Sequence, residues 1–125
     1  MIVFQMSDIH FGAQDEDALK AAERLIDSTS PDALIVCGDL TQRGKRAEFR
    51  AARSWLDQFG LPSLVVAGNH DTPLLNLVQR VASPFQRFED TFDDYLRPLE
   101  IGGWRFVGLN TARGWQARRN WAEGV

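Results

Sequence analysis

The sequence predicts an α/β fold in which a mostly parallel sheet is flanked by helices. Residues 2–6, 33–37 and 63–67 are short apolar runs rich in β-branched residues, without the alternation of a half-exposed strand. Two segments with apolar residues at helical spacing separate them. Turn-forming residues punctuate the junctions, so the order reads strand, helix, strand, helix, strand. That alternation implies right-handed crossovers, with reactive groups gathered beyond the carboxyl ends of the strands.

The first strand, residues 2–6, reads as covered on both faces, as do the other two. Asp15 is placed to cap a helix in which Leu19, Ala22, Leu25 and Ile26 recur, ending near Ser28 before the turn Ser30-Pro31-Asp32. The second strand, residues 33–37, ends in Cys37, which reads as a small core residue. Phe49, Ala52, Leu56 and Phe59 mark a second amphipathic helix, stopped by Gly60 and Pro62, and the third strand follows at 63–67. Residues 74–82 have a helical pattern. Beyond Pro84, Phe85, Phe88, Phe92 and Leu96 suit another helical segment, a cap or side wall. Gly102-Gly103 makes a turn before 104–110, which reads as a fourth strand returning to the sheet.

At 125 residues the chain has the length of one modest domain. A hydrophobic share of 44% and a charged share of 25% describe a globular protein rather than a disordered one. Its apolar runs fall far short of the roughly twenty residues that span a bilayer, so no membrane partner is expected. The N-terminus lacks a basic start followed by a long apolar core, which reads as non-exported and cytoplasmic. A single cysteine forms no internal disulfide, in keeping with a reducing compartment. The net charge of −3 argues against a broad polyanion-binding surface. Arg43-Gly44-Lys45-Arg46 and Arg118-Arg119 lack interleaved aromatics for base stacking and read as solvated surface, so no nucleic-acid surface is expected.

What stands at the strand ends is more informative. Ser7-Asp8-Ile9-His10 follows the first strand, Gly38-Asp39-Leu40-Thr41 the second and Gly68-Asn69-His70-Asp71 the third. Each alone has an ordinary explanation: a strand-end Asp caps a turn, Gly-Asp is a common turn dipeptide, and a tight turn accounts for Gly-Asn-His-Asp. Together they bring carboxylate, imidazole and amide groups to one rim at three successive strand ends. Both histidines of the chain fall inside these motifs.

Asp8-x-His10, Gly38-Asp39 and Gly68-Asn69-His70-Asp71 resemble, in order and spacing, the first three signature blocks of the calcineurin-like metallophosphoesterases. The text from Gly38-Asp39-Leu40-Thr41 through Gly44 to Glu48-Phe49 looks most like the bacterial class III cyclic nucleotide phosphodiesterase branch, and the resemblance runs to about Thr111. It implies that Asp8 and His10 bind a first metal ion, that Asp39 bridges two ions, and that Asn69 binds the second through its amide oxygen. It also implies that His70 faces the leaving group and that Asp71 holds His70 in position. The implied cofactors are two divalent or trivalent ions, and mixed oxygen and nitrogen ligands suit manganese, iron or zinc alike. The implied fold is a four-layer α/β/β/α sandwich, of which residues 1–125 are expected to be the N-terminal half of a single domain, with the C-terminal half absent. The family pattern continues with a further histidine and a Gly-His-x-His block, and this sequence contains neither.

The expected reaction is metal-dependent hydrolysis of a small phosphate ester by a hydroxide shared between the ions. Two ions about 3.5–4 Å apart neutralise the phosphoryl oxygens and acidify a water. A carboxylate such as Asp39 offers two oxygens for a bridge, whereas the amide of Asn69 adds an oxygen without further negative charge. His70 would donate a proton or hydrogen bond to the departing alkoxide, with Asp71 fixing its tautomer. A phosphodiester such as a cyclic nucleotide is preferred by resemblance alone, and a monoester stays open. Arg113 and Trp115, beyond the fourth strand, are candidates to touch a substrate base or phosphate, and loop or packing roles suit them equally. The rival reading is a truncated, catalytically inactive metal-binding or interaction fragment. A phosphatase with an aspartate nucleophile expects a second Asp where this chain has His10. A lone half would leave one apolar sheet face uncovered, so the chain is expected to need its missing half or to self-associate.

Overall fold

The computed structural model describes residues 1–73 and 77–113. Strands β1 (Val3–Met6), β2 (Ala33–Cys37) and β3 (Ser63–Val66) form a parallel sheet in the order β1-β2-β3, with Val3 opposite Ala33 and Leu34 opposite Ser63. Helix α1 (Glu16–Thr29) connects the first pair and α2 (Arg46–Asp57) the second. The Asp15 carboxylate accepts from the backbone N–H groups of Asp17 and Ala18, and this starts α1 where expected. Glu48 does the corresponding work for α2, accepting from the N–H of Lys45 and of Arg43. Helix α2 stops at Asp57, which leaves Phe59 in the turn beyond it rather than in the helix.

Because strand order follows chain order, two right-handed crossovers lay both helices on the same face of the sheet. Leu34, Val36 and Val65 point to that face and pack with Ile26 of α1 and with Phe49, Ala52, Trp55 and Leu56 of α2. Each fully buried large side chain of this kind contributes about 1.5–3 kcal/mol. The expectation of strands covered on both faces is therefore corrected. On the opposite face Ile35 and Cys37 stand beside Leu64 and Val66 and border an open cavity of about 520 Å³. Cys37, expected in the core, is exposed, because the two-residue period that buries Leu34 and Val36 turns Ile35 and Cys37 the other way.

The remaining elements are α3 (Leu77–Ala82), α4 (Gln86–Phe92), β4 (Leu99–Ile101) and β5 (Trp104–Phe106). The expected helix over 74–82 is present from Leu77, and residues 74–76 lie outside the described set. Helix α4 is a side wall: Phe88 and Phe92 meet Phe49 of α2 edge to face at 6.3 and 6.4 Å. Arg53 of α2 bonds Asp57 and Asp94 and lies 4.2 Å from the ring centre of Tyr95, and this ties the same two segments together at the surface. The fourth strand does not return to the sheet. It pairs instead with β4 in an antiparallel hairpin, with Ile101 opposite Trp104. Gly102 and Gly103 both take positive φ, which closes a two-residue turn and gives β5 its chain neighbour as partner. The chain beyond β5 then crosses the open face, where Gly108 lies against Val66 and Leu64. No helix among the described residues is long and apolar enough to cross a membrane.

Candidate metal centre

Pairing between β1 and β2 continues past both strands and sets up the site. Asp8 N–H donates to the Gly38 carbonyl at 3.2 Å, His10 N–H to Asp39 at 3.0 Å, and Phe11 N–H to Leu40 at 2.8 Å. The loop carrying Asp8 and His10 is thus laid along the loop carrying Asp39. Within these loops Asp8, His10 and Asp39 all adopt left-handed backbone, with φ of 57°, 53° and 52°. For a residue with a side chain this costs about 1–2 kcal/mol, and such strain collects at functional sites. The turns aim the three side chains at one point: a ligand atom from each of Asp8, His10 and Asp39 lies within 4.8 Å of the other two.

The loop after β3 closes the site from the other side. Gly68 leads into a single 3-10 turn, Asn69–Asp71. A Cβ on Gly68 would overlap Oδ1 and the backbone nitrogen of Asp39, so glycine alone lets the two loops approach this closely. His70 N–H then donates to Oδ1 of Asp39 at 2.9 Å, and Asn69 borders the same cavity as Asp39. The His70 ring meets His10 edge to face, 4.8 Å between centres. Arg113 lines the cavity too and is exposed, whereas Trp115 lies outside the described residues, as do Arg118 and Arg119.

Asp71, which the resemblance places behind His70, is tied into the protein by backbone and hydroxyl groups. Its carboxylate is fully buried and accepts from Leu40 N–H, Thr41 N–H, the Thr41 hydroxyl and Gly68 N–H. Burial pushes this carboxyl up from its ordinary value while the four donors pull it down. Asp71 therefore welds the loop after β2 to the loop after β3. The His70 ring also meets a backbone group: Nδ1 lies 3.0 Å from the Gln42 carbonyl oxygen. Thr41 and Gly68 stand in the strand-end motifs without a role read from sequence, and Gln42 was not singled out; the structure makes all three positioning residues. The pairing of Gly38 with Gly68, each just before a polar cluster, was the signal for Gly68.

The residues present fit a metal ion. Around a first-row ion bonded at about 2.0–2.2 Å, ligand atoms lie up to roughly 4.4 Å apart, so Asp8, His10 and Asp39 close on one with small rotamer movement. Nε2 of His10 lies 3.9 Å from Oδ1 of Asp8, a spacing that two ligands of one ion can take, and Nδ1 of the same ring is buried with no hydrogen-bond partner among the described residues. Carboxylate and imidazole without thiolate suit a hard or borderline cation. Cys37, two residues before Asp39, is not in the group. For a second ion the described residues offer Asp39 and Asn69 at one edge of the cavity.

The family model of the calcineurin-like phosphoesterases matches residues 1–120. The chain belongs to that family. As a calcineurin-like phosphoesterase it is similar to a probable cyclic nucleotide phosphodiesterase of a Synechococcus species, at 29% identity over 87% of this chain and 43% of the relative. It is also similar to a glycerophosphodiester phosphodiesterase of Enterobacter lignolyticus, at 27% identity over 92% of this chain and 47% of that protein. The chain thus spans a little under half the length of these two curated relatives. The three-stranded parallel sheet with helices on one face agrees with the N-terminal half of the family fold.

Proposed function

We propose that this calcineurin-like phosphoesterase supplies the metal-binding rim of a hydrolase acting on small phosphate esters, with phosphodiesters preferred. The observation that carries the reading is the convergence of Asp8, His10 and Asp39 within 4.8 Å from two loops, each residue on left-handed backbone. When bound, metal ions would neutralise the phosphoryl oxygens and lower the pKa of a water. Asp8, His10 and Asp39 hold the first ion, and Asp39 with Asn69 contributes to a second. His70 stands beside this group and, with Nδ1–H turned to the Gln42 carbonyl, would donate from Nε2 when its ring carries both protons, so that charge on the departing alkoxide is neutralised as it forms. Two curated relatives are named for phosphodiester hydrolysis, and one of them for cyclic nucleotides, which supports the diester and makes a cyclic nucleotide the first substrate to try. A second ion has two ligands, Asp39 and Asn69, among the described residues.

The test is metal stoichiometry beside turnover of an aryl phosphodiester, with manganese, iron and zinc each supplied. Asp39→Asn is expected to lower bound metal and turnover together, because the amide forfeits the bridging charge. Unchanged metal content in Asp39→Asn would refute the bridge. A second reading, a metal-binding module without hydrolysis, draws on the single three-ligand group found among the described residues. Metal binding without turnover, even after a downstream half of a relative is added, would favour that reading.

A further inference from the structure

We propose that Arg87 is a positioning residue for His70, acting through the loop of residues 41–45 and the main-chain carbonyl of Gln42. A carbonyl oxygen only accepts, so the 3.0 Å contact to His70 is a hydrogen bond only when Nδ1 carries a proton. The contact therefore selects one ring tautomer, with Nδ1–H, and does so with a group that no side-chain substitution at position 42 removes.

Its precision depends on where the 41–45 loop sits. On the sheet side the loop is held by Gln42 N–H to the Phe11 carbonyl at 3.0 Å and by Gly44 N–H to the Thr41 hydroxyl at 3.1 Å. From the opposite side comes Arg87 of α4, whose Nη1 donates to the Gly44 carbonyl at 3.0 Å across 43 residues of sequence. Nε of the same guanidinium is buried with no hydrogen-bond partner among the described residues. A surface arginine relieves such a cost by swinging into water, so a side chain kept here despite it points to a requirement on the loop. Gly44 is pressed so closely against the Thr72 carbonyl that a Cβ would overlap it, which leaves the loop one seat with Arg87 closing it. The link runs from α4 through Gly44 and Gln42 to the His70 ring, and its consequence for turnover rests on the hydrolase reading above.

With only two histidines in the chain, nitrogen-15 spectra of the full chain assign the His70 ring by comparison with His70→Ala. The wild-type ring is expected as the Nδ1–H tautomer, with and without zinc. In Arg87→Leu it is expected as a mixture of tautomers, while bound zinc is unchanged. On an ester with a poor leaving group kcat should fall about tenfold, a fraction of what general acid catalysis contributes, with KM unchanged and a good leaving group little affected. Arg87→Lys, which keeps one donor for the Gly44 carbonyl, should restore the tautomer, and Arg87→Met, with the same expectation and the same refutation as Arg87→Leu, takes its place if circular dichroism shows Arg87→Leu unfolded. An Nε2–H ring in the wild type, or an unaltered tautomer in a folded Arg87→Leu, overturns the proposal. If the tautomer changes as stated but the wild type hydrolyses no ester, the hydrolase reading fails and the positioning assignment stands.

Discussion

Replacing Gly68 by alanine tests the close approach on which the centre is built. The φ of Gly68 is not in the left-handed region, so the new methyl group brings no backbone strain of its own and its effect is steric. That Cβ would overlap Oδ1 and the backbone nitrogen of Asp39 and stand 2.8 Å from its Cγ. Carbon atoms prefer about 3.5–4.0 Å, so Cγ must retreat by about 1 Å, and the overlap with the backbone nitrogen means that a rotamer change alone does not relieve it. Metal–ligand distances tolerate only about 0.2 Å, so Asp39 leaves the coordination sphere and metal affinity should fall by at least about tenfold. The forced separation of the two loops should also cost about 1–3 kcal/mol of stability. Gly60→Ala is the control. It too should destabilise, by about 1–2 kcal/mol, because Gly60 has φ of 60°, but its Cβ meets nothing within 4 Å and metal binding should be untouched. Calorimetric metal titration of the three proteins, alongside denaturant unfolding, gives both quantities. Wild-type metal affinity in Gly68→Ala would show that Asp39 is not held where the ligand geometry requires it.

The other expectations concern the groups around the rim. His70→Ala should retain its metal and lose roughly a hundredfold or more in turnover of esters with poor leaving groups, and loss of metal would refute its place outside the ligand set. Thr41→Val deprives the buried Asp71 of one donor and Gly44 N–H of its acceptor, which should cost about 1–3 kcal/mol by urea unfolding, and a neutral effect would contradict the weld between the two loops. Arg53 holds the Asp94 carboxyl below its ordinary value of 3.8, so the contribution of this pair is complete above that value and is lost as the pH falls through the lowered native one. Asp94→Asn should therefore destabilise at pH 7, by at most about 1 kcal/mol because the carboxylate is largely in water, and the difference from wild type should vanish in strong acid.

Much of this was legible in the sequence because it depends on short-range chemistry. Three apolar runs separated by segments with helical spacing leave little choice but strand, helix, strand, helix, strand, and Asp15 and Gly60 mark helix boundaries through local backbone preference. Asp8, His10 and Asp39 could be singled out because ionisable side chains at successive strand ends of a parallel sheet share one rim whatever the loop details, and the structure brings their ligand atoms together. Tertiary structure alone decided the rest. An apolar run reads the same whether one face is covered or two, so which residues line the face that the resemblance left uncovered, the exposure of Cys37 and the hairpin that draws β5 away from the sheet became visible only in the fold. The backbone contact of the His70 ring was hidden for a different reason: every residue has a backbone carbonyl, and only the fold determines that the one at Gln42 meets the ring and that the carboxylate of Asp71 joins two loops.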